Sequence, residues 1–199
     1  MVILQVRRLA SRGVPSVPQD VVDTVCEHAI DVFHRQGLTA LDDYQSYRMH
    51  ADGFLKWRGG VRYVDGDVLF RKHSDSDDSY LFFIPRGTKL IAGSAAKFEN
   101  REALGYADTN IALVALDYVL CGDYDLPRPK ERARKSYAAN GATNLVLHEL
   151  GHAIHGLSHH MSSVDVCVMN RWGNRPLRYC PSCLAHAHKA EKELKSSPT

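Results

Sequence analysis

No apolar run in this 199-residue sequence approaches the roughly 20 residues that a membrane-spanning helix needs. Charge of one sign is lacking too. The formal net charge is +2, and no basic stretch is interleaved with aromatics, which argues against a dedicated nucleic-acid binder. The most basic segment is Arg128, Lys130, Arg132, Arg134 and Lys135. Glu131 interrupts it, so it reads as a solvated helix face. Cysteine is scarce and odd in number, and five residues exclude a complete disulfide framework. There is no internal repeat and no low-complexity segment. The opening residues, Met1 to Arg8, hold an apolar run too short for a secretory signal, with the charges after it instead of before. They read as a first β-strand in a cytoplasmic protein.

What is present is an ordinary globular composition. A hydrophobic fraction of 44% supports a real core, and the length fits one domain or one domain in two lobes. Residues 2–9 read as a strand. Gln19 to Arg35 carries apolar residues at helical spacing, with Gly37 as a stop. Val61 to Val64, then Asp65-Gly66, then Val68 to Phe70 suggest a hairpin. Residues 80–84 and 89–92 read as strands, and the acidic stretch between 74 and 79 as a loop. Residues 104–108 suit an edge strand, and the nearly all-apolar run 111–119 suits a strand covered on both faces. Pro127 and Pro129 precede a long helix expected to reach His155. A last helix is expected over 181–194, with residues 196–199 frayed.

Cys26 and Cys121 stand alone among apolar residues and read as buried thiols. The other three cysteines, Cys167, Cys180 and Cys183, fall in the last part of the chain. Seven of the 11 histidines lie there as well, a grouping that suggests metal. Within it stands His148-Glu149-Leu150-Gly151-His152. Histidines four residues apart project from one face of a helix on successive turns. Two imidazoles so placed can reach one zinc ion at about 2.0–2.1 Å. Glu149 is then beside the metal, where a carboxylate can take a proton from water and return it to a leaving amine. Asn144-Leu145-Val146-Leu147 makes the preceding turn apolar, so these polar side chains face inward and need a partner.

A catalytic zinc takes three protein ligands and keeps one position open. His155 shares the helical face, but it lies seven residues beyond His148, a rise of about 10.5 Å. His159 follows Gly156, and a glycine there can end the helix and turn the chain back to the metal. His159 is the preferred third ligand and His155 the alternative. For a second metal, Cys167, Cys180 and Cys183 offer three thiolates, and a closed structural zinc needs a fourth ligand.

This stretch resembles the archaemetzincins, a branch of the metzincin peptidases. Their pattern is HExxHxxGxxHC, four residues, CxM, and a distal CxxC. Here His148 to His160 is followed by Cys167-Val168-Met169 and Cys180-Pro181-Ser182-Cys183. One residue is inserted before the glycine, so His155 sits where the glycine is expected, and His160 replaces the first cysteine. The resemblance implies an α+β, metzincin-like fold. A mixed twisted β-sheet would carry a backing helix and an active-site helix, with a small irregular zinc-stapled C-terminal lobe. Residues 1–199 would form a single catalytic domain, with an N-terminal lobe over 1–156 and a C-terminal lobe over 157–199. It also implies two zinc ions per chain, one catalytic on His148, His152 and His159, and one structural on His160, Cys167, Cys180 and Cys183. His186 and His188 compete with His160 for the second ion. Met169 would form an apolar floor under the catalytic zinc. Gly105, Tyr106 and Ala107 would line the upper rim of the cleft and pair with an extended peptide by strand addition. The expected function is zinc-dependent peptide hydrolysis with Glu149 as general base. The alternative is a non-catalytic zinc domain that recognises peptides in the same cleft, with His155 closing the metal shell.

Overall fold

The computed structural model describes residues 2–14, 16–74, 78–85, 88–91, 105–116, 131–160, 167–170 and 176–196. Several expectations lie outside these residues: the acidic loop around 75–77, the far end of the apolar run after 116, Cys121, and the proline-led helix start at 127–130. The side chains of the basic helix face and residues 197–199 are likewise outside them.

A five-stranded mixed sheet organises the fold, in the order β2-β1-β5-β8-β7. Its strands are β1 (Val2–Ala10), β2 (Leu41–His50), β5 (Ser79–Phe83), β7 (Gly105–Asp108) and β8 (Ile111–Val114). All neighbours run parallel except β7, which is antiparallel to β8 and, among the described residues, has one edge unpaired. β5 and β8 are buried along their whole length, as an apolar strand between two covered faces should be.

Two helices cover one face. The first, α1 (Gln19–Arg35), buries Val22, Val25, Cys26, Ala29, Val32 and Phe33 along one stripe. It ends where Gly37 adopts φ +75° and donates its amide to His34. The second, α3 (Glu131–His155), contributes Leu145, Val146, Leu150 and Ala153 to the same core. The opposite face is covered by β3 (Leu55–Arg58), β4 (Val61–Asp65), α2 (Gly66–His73) and β6 (Lys89–Ile91), with Phe54, Val64, Leu69, Phe70 and Leu90 in the second core.

The hairpin read over residues 61–70 is corrected here. β4 pairs backwards with β3 through Gly59 and Gly60, both at positive φ, as a tight two-residue turn requires. Residues 66–73 are helix instead of a returning strand. The Asp65 carboxylate accepts from the Val68 amide, so Asp65 caps a helix where it had been read as a turn.

The C-terminal helix α4 (Pro181–Ser196) runs two residues past its expected end and is tied to the body by a buried carboxylate. Glu191, only 5% exposed, accepts from the backbone amides of Thr39 at 2.8 Å and Ala40 at 2.9 Å. It also accepts from the Thr39 hydroxyl at 3.4 Å and contacts His155 Nε2 at 3.2 Å. Burial raises the Glu191 pKa, but the two amides and His155 outweigh it, so the carboxyl titrates below its usual range. The last turn of α3 is thereby fixed to α4 and to the start of β2.

Candidate metal centres

The final turns of α3 bring His148 and His152 onto one face, and the chain then reverses. Gly156 adopts φ +62° and donates to the His152 carbonyl, while the Leu157 amide reaches back to Gly151. This reversal returns His159 to the helix. The Nε2 atoms of His148, His152 and His159 lie 2.9, 3.1 and 3.2 Å apart. Ligands of a tetrahedral ion bound at about 2.0–2.1 Å are separated by roughly 3.3 Å, so this triangle has the dimensions of a three-histidine metal site.

Backbone carbonyls set two of these rings. His148 Nδ1 donates to the Val168 carbonyl at 2.8 Å, and His152 Nδ1 donates to Leu157. With the proton on Nδ1, each Nε2 carries its lone pair toward the other two. Lone pairs so close repel unless a cation stands among them, and the donor set therefore fits zinc.

Met169 is fully buried against the same turn. A Cβ built on Gly151 would fall 2.7 Å from Met169 Sδ and 2.7 Å from the Tyr179 hydroxyl, which itself donates to Leu147. Glycine between the two histidines is thus needed to seat the methionine. Gly151→Ala is expected to destabilise the fold by about 1–3 kcal/mol. Thermal unfolding should show the loss, and a zinc competition titration should show weaker binding.

Glu149 is 5% exposed and lies against β7. It borders a cleft of about 760 Å³, lined by Gly105, Tyr106, Ala107 and Asp108 of β7 and by His152 and His159. His186 and Glu193 of α4 extend the wall. The turn after β7 is held down by the Asn110 amide, which donates to the Ala153 carbonyl. Tyr106 packs its ring on Phe70, with centroids 5.2 Å apart.

A second cluster adjoins the first in the chain, with His160 directly after His159. His160, Cys167, Cys180 and Cys183 place their ligand atoms within 4.8 Å of one another. His160 Nε2 is 2.9 Å from Cys183 Sγ and 3.2 Å from Cys180 Sγ. Burial raises all three thiols. In Cys180 the Ser182 hydroxyl, the Cys183 amide and the neighbouring thiols outweigh it, lowering its pKa to about 6. Burial, with the Cys167 and Cys180 charges added, pushes Cys183 far up, and Cys167 rises as well. One thiolate therefore suppresses the other two. A cation among them would let all three ionise, as a Cys₃His zinc site does.

The competing residues are placed elsewhere. His155 is 2% exposed and faces Glu191, with Phe33 and Tyr179 packed edge-on around it. His186 lines the cleft, and the ring of His188 rests near Gly37; neither joins the cysteines. The carbonyls of Val168 and Leu157, and the Glu191 anchor, carried no sequence signal.

No helix among the described residues is long and apolar enough to cross a membrane. No protein-family model matches the sequence, and no curated protein matches it. The fold does match a solved structure. The crystal structure of archaemetzincin from Methanopyrus kandleri superposes with a TM-score of 0.60, covering 96% of each chain at 18% identity. The chain thus has an archaemetzincin-like fold, with a mixed sheet, four described helices and a Cys/His cluster near the C-terminus.

Proposed function

We propose that this protein is a zinc-dependent metallopeptidase with one catalytic and one structural zinc. The observation that carries the reading is the triangle of His148, His152 and His159 Nε2 atoms beside a buried Glu149 at the floor of an open cleft. Zinc there supplies Lewis acidity, making water acidic near neutral pH and drawing electron density from a carbonyl oxygen. The three histidines hold the ion. Glu149 takes the proton from the attacking water and hands it to the departing amine. The outer edge of β7, unpaired among the described residues, aligns an extended peptide at Gly105, Tyr106 and Ala107 through main-chain hydrogen bonds. His160, Cys167, Cys180 and Cys183 hold the second ion and staple the C-terminal lobe, taken as 157–199, onto a lobe formed by 1–156. A cytoplasmic setting, the compartment expected from the sequence, would keep the zinc-binding thiols of Cys167, Cys180 and Cys183 reduced. The archaemetzincin likeness in fold supports the same class of chemistry.

A peptide-binding domain without catalysis needs the first ion closed by a fourth side chain. The candidate that the sequence offers for that place, His155, is engaged with Glu191, which favours the peptidase. The test is digestion of a random decapeptide library, read by mass spectrometry. Cleavage is expected with the zinc-loaded protein, lost after chelation and restored by added zinc. No cleavage at full zinc occupancy would support the binding domain, and cleavage surviving metal removal would overturn both readings.

A further inference from the structure

Along β7 the side chains alternate between the two faces of the sheet. Tyr106 packs into the core that holds Phe70, and Ala107 packs into the core built on α3. Gly105 has the same parity as Ala107, so its missing side chain points toward α3. A Cβ there would lie 2.4 Å from Glu149 Oε1, 2.6 Å from Cδ and 2.7 Å from Cγ. The carboxylate thus occupies the place that a side chain at 105 would fill. One helical turn further on, Ala153 accepts from Asn110 at 3.1 Å, so helix and strand are held side by side over this length. The closeness of Glu149 to the strand is supported by this tie one helical turn away.

We propose that Gly105 is a positioning residue for the general base: its lack of a side chain lets the Glu149 carboxylate lie against the free edge strand, beside the position where a paired substrate would present its scissile bond. This rests on the reading of Glu149 as the base. Any Cβ at 105 meets Oε1 and Cδ of the carboxylate and Cγ of the same side chain. The neighbour that must yield is Glu149 itself, because the contacted atoms are the far end of its side chain while the turn after the strand is tied to Ala153. A shift of about 1 Å in a reacting group costs on the order of 100-fold in rate. Metal binding is expected to stay unchanged, because the three atoms nearest the new methyl group all belong to Glu149 and none to a histidine.

The experiment is Gly105→Ala in the zinc-loaded full chain, alone and combined with Glu149→Ala. For the single variant, kcat is expected to fall about 10- to 100-fold with KM nearly constant. Zinc content and the visible spectrum of the cobalt-substituted protein should stay unchanged. Its thermal midpoint should also fall, and Glu149→Ala should remove that penalty by clearing the space. An unchanged kcat in Gly105→Ala would overturn the proposal. So would a midpoint penalty equal in the presence and absence of the Glu149 side chain. Hydrolysis surviving Glu149→Gln would instead refute Glu149 as the base, and the two failures are separable because the midpoint comparison does not depend on catalysis.

Discussion

Cys180→Ser is expected to remove one of two zinc ions, most of the stability of the C-terminal segment, and part of the grip on the remaining ion. Cys180 Sγ lies 3.2 Å from His160 Nε2 and beside the Ser182 hydroxyl at 3.1 Å, and its amide donates to Cys167 Sγ. Structural zinc in small folded units binds with about 10–16 kcal/mol at neutral pH, comparable to the whole net stability of a domain. The described segments 157–160, 167–170 and 176–180 contain no regular helix or strand, so beyond the packing of Leu157, Val168, Met169 and Tyr179 the second ion is their main cross-link.

The effect should reach the first site because the two share neighbours in the chain. His159 precedes His160, and the carbonyl that orients His148 belongs to Val168, next to Cys167. The His160 amide also donates to the Met169 carbonyl. Loss of partners that orient a ligand weakens metal binding by about 10- to 100-fold. Metal analysis should find one zinc per chain, and a competition titration should find that ion held more weakly. Two zinc ions with unchanged affinity in Cys180→Ser would refute the second site.

Glu191→Ala is expected to cost about 2–4 kcal/mol, because it strips the buried Ala40 amide, the Thr39 amide and His155 Nε2 of their shared acceptor. His155 Nδ1 already has no hydrogen-bond partner, so the ring would lose its last one. The same network predicts the acid sensitivity of the wild type. Burial lowers the His155 pKa further than the Glu191 contact raises it. The unfolded chain therefore takes up a proton at His155 first, and stability falls as pH drops below about 6.5. Glu191 titrates below its ordinary value, so its contribution is present above that value and is lost as pH falls through the lower folded one. Denaturant titrations between pH 8 and pH 3 should show both losses in wild type, and Glu191→Ala should abolish the lower one.

The legible features were those encoded over a few residues. Helical spacing alone put His148, Glu149 and His152 together, and it read α1 from Gln19 to Arg35 with both ends correct. The choice between His155 and His159 turned on Gly156, whose left-handed conformation follows from its missing Cβ. Asp65-Gly66 misled because an aspartate before glycine serves equally as a turn and as a helix cap, and only the Val68 amide decides. Contacts between distant segments left no local trace. Glu191 meets Thr39 from 152 positions away, and Gly105 meets Glu149 across two elements. His186 and His188 were as plausible as His160 by spacing, and the direction of α4 carries them away from the thiols.

The most direct test of the catalytic reading is zinc content and library cleavage measured together on wild type and Glu149→Gln. The expected result is two zinc ions in both proteins, with cleavage in the variant reduced by about 100- to 10,000-fold. Equal cleavage at equal zinc occupancy would contradict the assignment of Glu149 as the base.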